Sequence, residues 1–327
     1  MLRLAAVAVL AASPVLAAPA SAASPAEILK GVVGINAEVP PDARTARTLG
    51  RERSGSGVVI DSGGLVLTIG YLVLEASGID IVDAGGNHVP GEVVGYDHET
   101  GFGLVRATAP LDAVPVRLGD SAGVDVGETL LVVSNAGAVG AIQAKLADRR
   151  EFAGYWEYLL DDALFTMPAY EAFGGAALID ADGELVGVGS LMVGDAAGEN
   201  VPSAGNMFVP VDLLKPLLGD LIALGQRGDP PHPWMGVYAQ EHRGAVVVTG
   251  VADEGPAEKA GLQAGDVVVA VGGKRVTGLA EFYRQVWAGG DAGVTVPLQV
   301  LRQGSVAVTL PVTTIDRMRW LRLEQSF

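Results

Sequence analysis

Few side chains in this sequence could serve as nucleophiles, general bases or metal ligands. The 327 residues include no cysteine and only four histidines, so thiolate chemistry and zinc sites that use cysteine are excluded. Asp97, His98 and Glu99 are consecutive, which places them too close together in the chain to surround an ion, and no second cluster completes a site. We therefore expect no metal and no cofactor, and we interpret His98 as a solvated turn residue. Hydroxyl chemistry would need a serine, a histidine and a carboxylate in one cleft.

The elements around these residues are predicted to be short β-strands. Between residues 55 and 133, short apolar runs alternate with turn residues, as in the strand pair 58–60 and 65–67 joined by Asp61-Ser62-Gly63-Gly64. Turns recur roughly every 8–12 residues, a spacing typical of β-barrels and sandwiches. The high glycine content of 45 residues and the low aromatic content of 6% agree with many tight turns. We predict a mainly β fold.

Two features interrupt the β pattern further along the chain. Leucine and isoleucine recur at helical spacing between Val209 and Leu224, with Asp212 as a candidate N-cap, and predict a helix there. Three prolines within four residues, in the segment 226–233, predict a stiff linker between two domains. Residues 234–314 form a second β-rich unit with two short helices, followed by a tail at residues 315–327.

Charge and hydropathy indicate which partners are excluded and where in the cell this protein is expected. The formal net charge is -16, from 38 acidic and 22 basic residues, and such a field repels nucleic acid and anionic lipid. Residues 1–22 combine an early arginine, an apolar run and the small residues Ala20-Ser21-Ala22, the pattern of a secretory signal peptide. After its cleavage no stretch is long and apolar enough to span a membrane. We expect a periplasmic or secreted protein.

An ordered series of motifs runs through the first part of the chain. Its pieces are residues 55–61 (GSGVVID), 91–97 (GEVVGYD), 116–121 (VRLGDS), 174–180 (GGAALID) and 183–188 (GELVGV). Together they resemble the HtrA/Deg family of trypsin-like serine proteases from about Gly31 to Gly225. The resemblance implies two perpendicular six-stranded barrels with the catalytic groups in the cleft between them. We assign residues 26–225 to this domain.

The three catalytic positions of that family hold residues that cannot perform its chemistry. The motifs place Tyr71 where the family has histidine, Gly101 where it has aspartate and Phe173 where it has serine. A tyrosine is protonated at neutral pH and is a poor general base, glycine has no side chain, and phenylalanine has no nucleophile. Residues 63–77 contain no histidine and residues 167–179 no serine or cysteine, so a shift of register does not restore the site. We therefore name no catalytic residue and expect a pseudoprotease.

The segment from Met167 to Ala172, just before Phe173, also departs from the family's pattern. It lacks the Pro-Gly-Asn sequence that precedes the nucleophile there, so the oxyanion hole is altered as well as the nucleophile. Two aromatic rings at Tyr71 and Phe173, with space at Gly101, are interpreted either as core packing or as an apolar cleft that holds a peptide.

Residues 234–314 resemble a PDZ domain of the HtrA type. The resemblance rests on residues 255–268 (GPAEKAGLQAGDVV) and on residues 234–237, which look like the family's carboxylate-binding loop. Successive N–H groups around a glycine can cradle a terminal carboxylate, and the strand that follows can pair with an extended peptide. A helix predicted over residues 279–287 would close the groove, with side chains that face either the peptide or the domain core. The predicted peptide-binding residues are Trp234, Met235, Gly236, Val237, Phe282 and Val286.

These features favour a trypsin-like double β-barrel followed by an α+β PDZ domain, without a catalytic triad. We expect an exported adaptor or chaperone-like factor whose partners are peptides or protein C-termini. Two alternatives stay open: an active serine endopeptidase with a displaced site, and a structural subunit of an envelope complex. Family members often assemble as trimers, which makes a homo-oligomer a further option for this chain.

Overall fold

The structure is a computed structural model that describes residues 24–303, 306–321 and 323. The signal peptide expected over residues 1–22 and the last four residues of the expected tail lie outside this part of the chain. The described residues form two closed β-barrels followed by an α+β domain, which confirms the predicted fold class. Among these residues, no helix has the length and apolar character needed to cross a membrane.

Six antiparallel strands close into the amino-terminal barrel. They are β1 (Val32–Glu38), β2 (Glu52–Val59), β3 (Leu65–Ile69), β4 (Gly78–Val82), β5 (His88–Tyr96) and β6 (Phe102–Ala107). Their order around the barrel is β1-β2-β3-β6-β5-β4. The predicted turn between β2 and β3 is closed by the Asp61 carboxylate, which accepts hydrogen bonds of 2.8 Å from the N–H groups of Gly63 and Leu65. β3 then leads into the 3-10 turn Gly70–Leu72, which carries Tyr71.

A second set of six strands closes into another barrel. They are β7 (Thr129–Val133), β8 (Ala141–Gly154), β9 (Tyr158–Met167), β10 (Ala177–Ile179), β11 (Leu185–Val193) and β12 (Gly205–Pro210). Their order is β10-β11-β12-β9-β8-β7. The hairpin of β8 and β9 ends in a loop of three residues, Tyr155, Trp156 and Glu157, between the paired residues Gly154 and Tyr158. We call these three residues the hairpin tip.

Short helices flank the barrels: α1 (Pro25–Gly31), α2 (Ala46–Leu49) and α3 (Leu218–Leu224). The helix predicted between Val209 and Leu224 is therefore wrong over its first half, where β12 continues to Pro210 and a 3-10 turn follows. The reason is partly local, since Pro216 disfavours a helical conformation at the residue before it. It is also tertiary, because the Asp212 carboxylate accepts hydrogen bonds from Ser121 and Ala122 instead of capping a helix.

The carboxyl-terminal domain is a twisted sheet covered by two helices. Its elements are β13 (Val237–His242), β14 (Ala245–Val251), α4 (Pro256–Lys259), β15 (Val267–Val271), β16 (Lys274–Arg275), α5 (Leu279–Trp287), β17 (Thr295–Arg302) and β18 (Val306–Thr313). The strand order is β13-β14-β15-β17-β18, with β16 paired to β15, so β13 is an edge strand. The predicted helix over residues 279–287 is confirmed as α5. Phe282, Val286 and Leu298 belong to the apolar core between sheet and helices.

The segment 226–233 between the domains contains no helix or strand. Arg227 donates two hydrogen bonds of 3.2 Å to the carboxylate of Asp97 and lies 3.1 Å from the Glu99 carboxylate. His232 pairs with Glu99 at 3.2 Å and stacks on Trp287 of α5 at 4.7 Å. The linker is thus fixed to the first barrel at one end and to the PDZ helix at the other.

Candidate functional site

Tyr71, which the motifs predict to replace the family's general base, lies in the cleft between the two barrels. Its hydroxyl donates a 3.1 Å hydrogen bond to the carbonyl oxygen of Ser190 on β11. Burial raises the pKa of this hydroxyl above its ordinary value near 10. Tyr71 therefore stays protonated over the physiological range and cannot accept a proton from a nucleophile.

Gly101, which the motifs predict to replace the family's aspartate, lines the same cleft and has a backbone that suits only glycine well. Its φ angle is +82°, in the left-handed region that side chains rarely adopt. Its carbonyl accepts a 2.6 Å hydrogen bond from the N–H group of Gly70, next to Tyr71. A Cβ atom at this position would lie 3.3 Å from the hydroxyl oxygen of Tyr158. The space that an aspartate side chain would need at this position is therefore bordered by a tyrosine.

Phe173, which the motifs predict to replace the nucleophile, follows the segment from Met167 to Ala172. This segment is held by Tyr170, whose N–H group donates to the Asn206 side chain at 2.7 Å and whose hydroxyl donates to the Gly140 carbonyl at 2.9 Å. The Phe173 carbonyl accepts a hydrogen bond from Ala176 at 2.9 Å, which fixes the backbone after the ring. The half-buried Phe173 ring offers no group that could attack a carbonyl.

The three positions line a single cavity of about 490 Å³. Eight of the residues that line it are aromatic: Tyr71, Tyr96, Tyr155, Trp156, Tyr158, Phe173, Tyr238 and Trp320. All four histidines lie in the described part of the chain, and none of them lines the cavity. The cleft of the expected pseudoprotease is therefore an apolar cavity of the size that holds small ligands or side chains.

Two arginines contribute to the wall of this cavity. Arg44 lies 5.4 Å from the ring centre of Trp320 and pairs with Glu254. Arg317 also lines the cavity, and its Nε atom has no hydrogen-bond partner among the described residues. An apolar group that carries a negative charge would match this combination of rings and cations.

The carboxylate-binding loop of the PDZ domain holds a carboxylate from the hairpin tip. The N–H group of Met235 donates to Oε2 of Glu157 at 3.0 Å, and the N–H group of Val237 donates to Oε1 at 2.7 Å. Gly236 between them has a φ angle of +77°, the kind of turn that lets successive N–H groups converge on an anion. Trp234, the fourth predicted loop residue, packs on Trp320 at 5.0 Å.

The hairpin tip also contacts the edge strand and the helix that border the groove. The N–H group of Ala239 on β13 donates to the carbonyl of Tyr155 at 2.9 Å. On α5, the hydroxyl of Tyr283 donates to the Gly154 carbonyl at 2.7 Å. The two helix residues predicted from the sequence, Phe282 and Val286, are buried in the PDZ core, with exposures of 1% and 2%. Their role in peptide binding stays a prediction.

Glu157 is a buried carboxyl with an unusual titration. Burial raises its pKa to about 7, although the N–H groups of Met235, Val237 and Gly236 act in the opposite direction. Sequence reasoning missed Glu157 because it belongs to no motif. The signal that could have directed attention to it is its place at the end of a three-residue hairpin loop, where glycine is usual.

His98 differs from the solvated turn residue expected from the sequence. Burial and the nearby Arg317 lower its pKa to about 4, and it lies beside Glu99, Glu157 and His232 at the junction of the two domains. The expectation was wrong because the linker and the PDZ domain cover this turn, which the sequence alone does not indicate.

Two family models match the chain: a trypsin-like peptidase domain over residues 55–188 and a PDZ domain over residues 233–312. The putative serine protease HhoA of Synechocystis is 29% identical over 313 residues, which cover 84% of this chain and 73% of that protein. The periplasmic serine endoprotease DegP of Salmonella typhimurium is 27% identical over 282 residues, or 78% of this chain and 55% of that protein. The chain thus spans about half the length of this DegP relative.

Solved structures agree with these matches at the level of the fold. The HtrA-type protease AlgW with a tripeptide has a TM-score of 0.53 and 22% identity over 92% of this chain and 98% of its own. The serine endoprotease from Yersinia pestis has a TM-score of 0.50 and 22% identity over 90% of this chain and 99% of its own. Both domains are matched in the same order over nearly the whole chain. The chain therefore combines a trypsin-like peptidase domain with a PDZ domain that follows it, and it is similar to proteases of the HtrA type.

Proposed function

We propose that this protein is a non-catalytic HtrA-like factor that binds peptides or protein C-termini and acts as an adaptor or chaperone-like partner. The observation that carries the proposal is the cleft: Tyr71, Gly101 and Phe173, the residues at the predicted triad positions, line a single apolar cavity. Binding then falls to the PDZ groove, whose N–H groups are arranged to receive a carboxylate.

The relatives support peptide binding and an envelope location. AlgW holds a tripeptide, and the Salmonella relative is named as a periplasmic enzyme. We extend both properties to this chain, with export through the signal peptide expected at residues 1–22. Catalysis, which the names of the relatives also state, is not extended, because the residues that perform it are replaced.

An active protease with a displaced site is the main alternative. It would need a serine next to a base near the cleft. Ser190 lines the cavity, but no serine hydroxyl in the described part of the chain is hydrogen-bonded to a histidine, which disfavours this reading.

The test is an assay of cleavage and binding on the full-length protein without its first 22 residues. We expect no cleavage of unfolded casein and no labelling by a fluorophosphonate probe. We expect saturable binding of a fluorescein-labelled hexapeptide that ends in a free phenylalanine carboxylate, and none of the same peptide with an amidated end. Casein cleavage that is lost on Ser190→Ala would establish the displaced site and contradict the proposal.

A further inference from the structure

The hairpin tip of the same chain lies in the PDZ groove, and this contact affects how an external peptide can bind there. We infer that the hairpin tip, residues 155–157, is an internal ligand of the PDZ groove in which Glu157 takes the place of a peptide's terminal carboxylate, so that an external C-terminal peptide must displace it. The inference rests on the proposed function, because it assigns a regulation to the same binding site.

The contact follows the hydrogen-bond pattern of strand addition. An edge strand presents every second N–H group outward, and on this edge the outward groups are those of Met235, Val237 and Ala239. The first two donate to the Glu157 carboxylate and the third to the Tyr155 carbonyl. An external peptide that binds by strand addition would need these same three donors. The hairpin tip and such a peptide therefore exclude each other.

The opposite wall of the groove also holds the hairpin. Tyr283 of α5 donates to the Gly154 carbonyl and accepts a 3.3 Å hydrogen bond from the N–H group of Glu157. Arg284, the next residue of α5, pairs with Glu151 on β8 and with Asp161 on β9. The hairpin is thus bound from both sides of the groove, as a peptide between strand and helix would be.

The backbone at Glu157 indicates that the side chain has a function at this position. Its φ angle is +58°, a conformation in which a residue with a Cβ atom is less stable than glycine. A residue other than glycine that is held at such a φ angle usually marks a functional site or a site where other contacts compensate for the strain. Here the compensation is the pair of hydrogen bonds that the carboxylate accepts.

The internal ligand lowers the apparent affinity for external peptides by the fraction of molecules in which the tip is released. It also connects the two sites, since Tyr155 and Trp156 of the tip line the cleft cavity. Release of the tip from the groove would therefore open one wall of that cavity.

The test compares the wild type with Glu157→Gly, which removes the carboxylate and suits the positive φ angle, and with Glu157→Gln, which keeps the shape. The matched control is Glu199→Gln, the same charge change at an exposed turn of the same barrel. Each full chain, without its first 22 residues, is titrated with the labelled hexapeptide ending in free phenylalanine and with its amidated form. Amide hydrogen exchange at Met235, Val237 and Ala239 is measured without peptide.

We expect the Glu157→Gly variant to bind the free-carboxylate peptide about 10- to 100-fold more tightly than the wild type, as for release of a tip that is bound 90–99% of the time. The peptide affinity of Glu157→Gln should lie between those of the wild type and the glycine variant, and the affinity of the control should match that of the wild type. The amides of Met235, Val237 and Ala239 should lose protection from hydrogen exchange in the glycine variant. Equal dissociation constants in wild type and glycine variant would overturn the inference and leave peptide binding intact. If neither the wild type nor any variant binds the peptide, the proposed ligand class is rejected. In that case, loss of amide protection in the glycine variant still supports the contact between the hairpin tip and the groove, whereas unchanged protection rejects this contact too.

Discussion

At each predicted triad position in the cleft, the residue present fits its surroundings. The Tyr71 hydroxyl has an acceptor in the Ser190 carbonyl, and the neighbouring Gly174 leaves room for it, because a Cβ atom there would lie 2.9 Å from that hydroxyl. Gly101 has a positive φ angle. Substituting histidine, aspartate and serine for Tyr71, Gly101 and Phe173 would therefore disturb these contacts without rebuilding the geometry of a catalytic site.

We predict that the combined variant Tyr71→His, Gly101→Asp and Phe173→Ser remains inactive. The Gly101→Asp change alone should lower the free energy of unfolding by about 1–2 kcal/mol, because an aspartate is strained at a φ angle of +82°. Casein cleavage and urea unfolding measure the two effects. Cleavage by the combined variant above the wild-type background would contradict our interpretation of the cleft.

We predict that contact between the hairpin tip and the groove weakens as the pH rises from about 5 to 7. The pKa of Glu157 is about 7 in the groove against an ordinary value of 4.5, so the bound tip retains a proton that the released tip has lost. Binding of the tip to the groove is strongest at pH values below 4.5, the pKa of the released side chain. It declines as the pH rises from 4.5 to about 7, the pKa in the groove, and it is constant above that pH. The change is at most about 3 kcal/mol.

The measurement is peptide affinity against pH in the wild type and in Glu157→Gln. We expect affinity to rise with pH in the wild type and to change less in the variant, which cannot titrate at this position. The charged groups that face Glu157 are Arg317, His98, Glu99 and His232. Burial also raises the pKa of Glu99 to about 7, so only the difference between wild type and variant reports Glu157. Parallel curves would exclude Glu157 as the titrating group.

The β8–β9 hairpin and α5 are two of the elements that contribute to the contact between the barrels and the PDZ domain. Ala153 and Leu159, on either side of the tip, pack against the PDZ core. α5 contributes Tyr283 and Arg284, while its apolar face serves the core. One short helix thus stabilises the PDZ fold and binds the hairpin with different faces.

We predict that Tyr283→Phe weakens the contact of α5 with the hairpin. The change leaves the Gly154 carbonyl and the Glu157 N–H group without their partner, at a cost of about 1–3 kcal/mol to the bound tip. Peptide affinity should rise by about tenfold, as for 1.4 kcal/mol. The control is Tyr238→Phe, whose hydroxyl makes no hydrogen bond in the described part of the chain. If both variants bind like the wild type, Tyr283 does not hold the tip.

Element prediction succeeded where the signal was local. The helix at residues 279–287 has apolar residues at regular helical spacing, and it formed as expected. The leucine-rich segment 209–224 carries the same signal, but Pro216 and the bonds of Asp212 to Ser121 and Ala122 delay its helix to Leu218. Competition from partners distant in the sequence decides such cases.

In the molecule as a whole, the linker ion pairs fix the first barrel to the segment that leads into the PDZ domain. The Asp97 side chain is 1% exposed and pairs with Arg227. Although burial raises the pKa of Asp97, hydrogen bonds and charge from Arg227 outweigh it and hold the pKa below its ordinary value.

We predict that Arg227→Gln destabilises the protein by about 3 kcal/mol, because it leaves a buried carboxylate without its cation. The control Arg106→Gln removes an exposed pair with Asp61 at 3.7 Å and should cost less than about 1 kcal/mol. Urea unfolding measures both. A loss below about 1 kcal/mol in the Arg227 variant would mean that Asp97 finds another partner.

The sequence by itself predicted the two domains and indicated the loss of the triad. Motif residues such as Gly55 to Asp61 indicate the barrel, and the residue types at the predicted triad positions Tyr71, Gly101 and Phe173 underlie our proposal that the chemistry is lost. Only the tertiary structure decided what fills the PDZ groove. Glu157 and Met235 are 78 residues apart, and their contact depends on how the hairpin and the PDZ domain are placed relative to each other. The sequence around a glutamate in a turn does not indicate its partner, because the residue type is the same whether its side chain is exposed to solvent or buried in a groove.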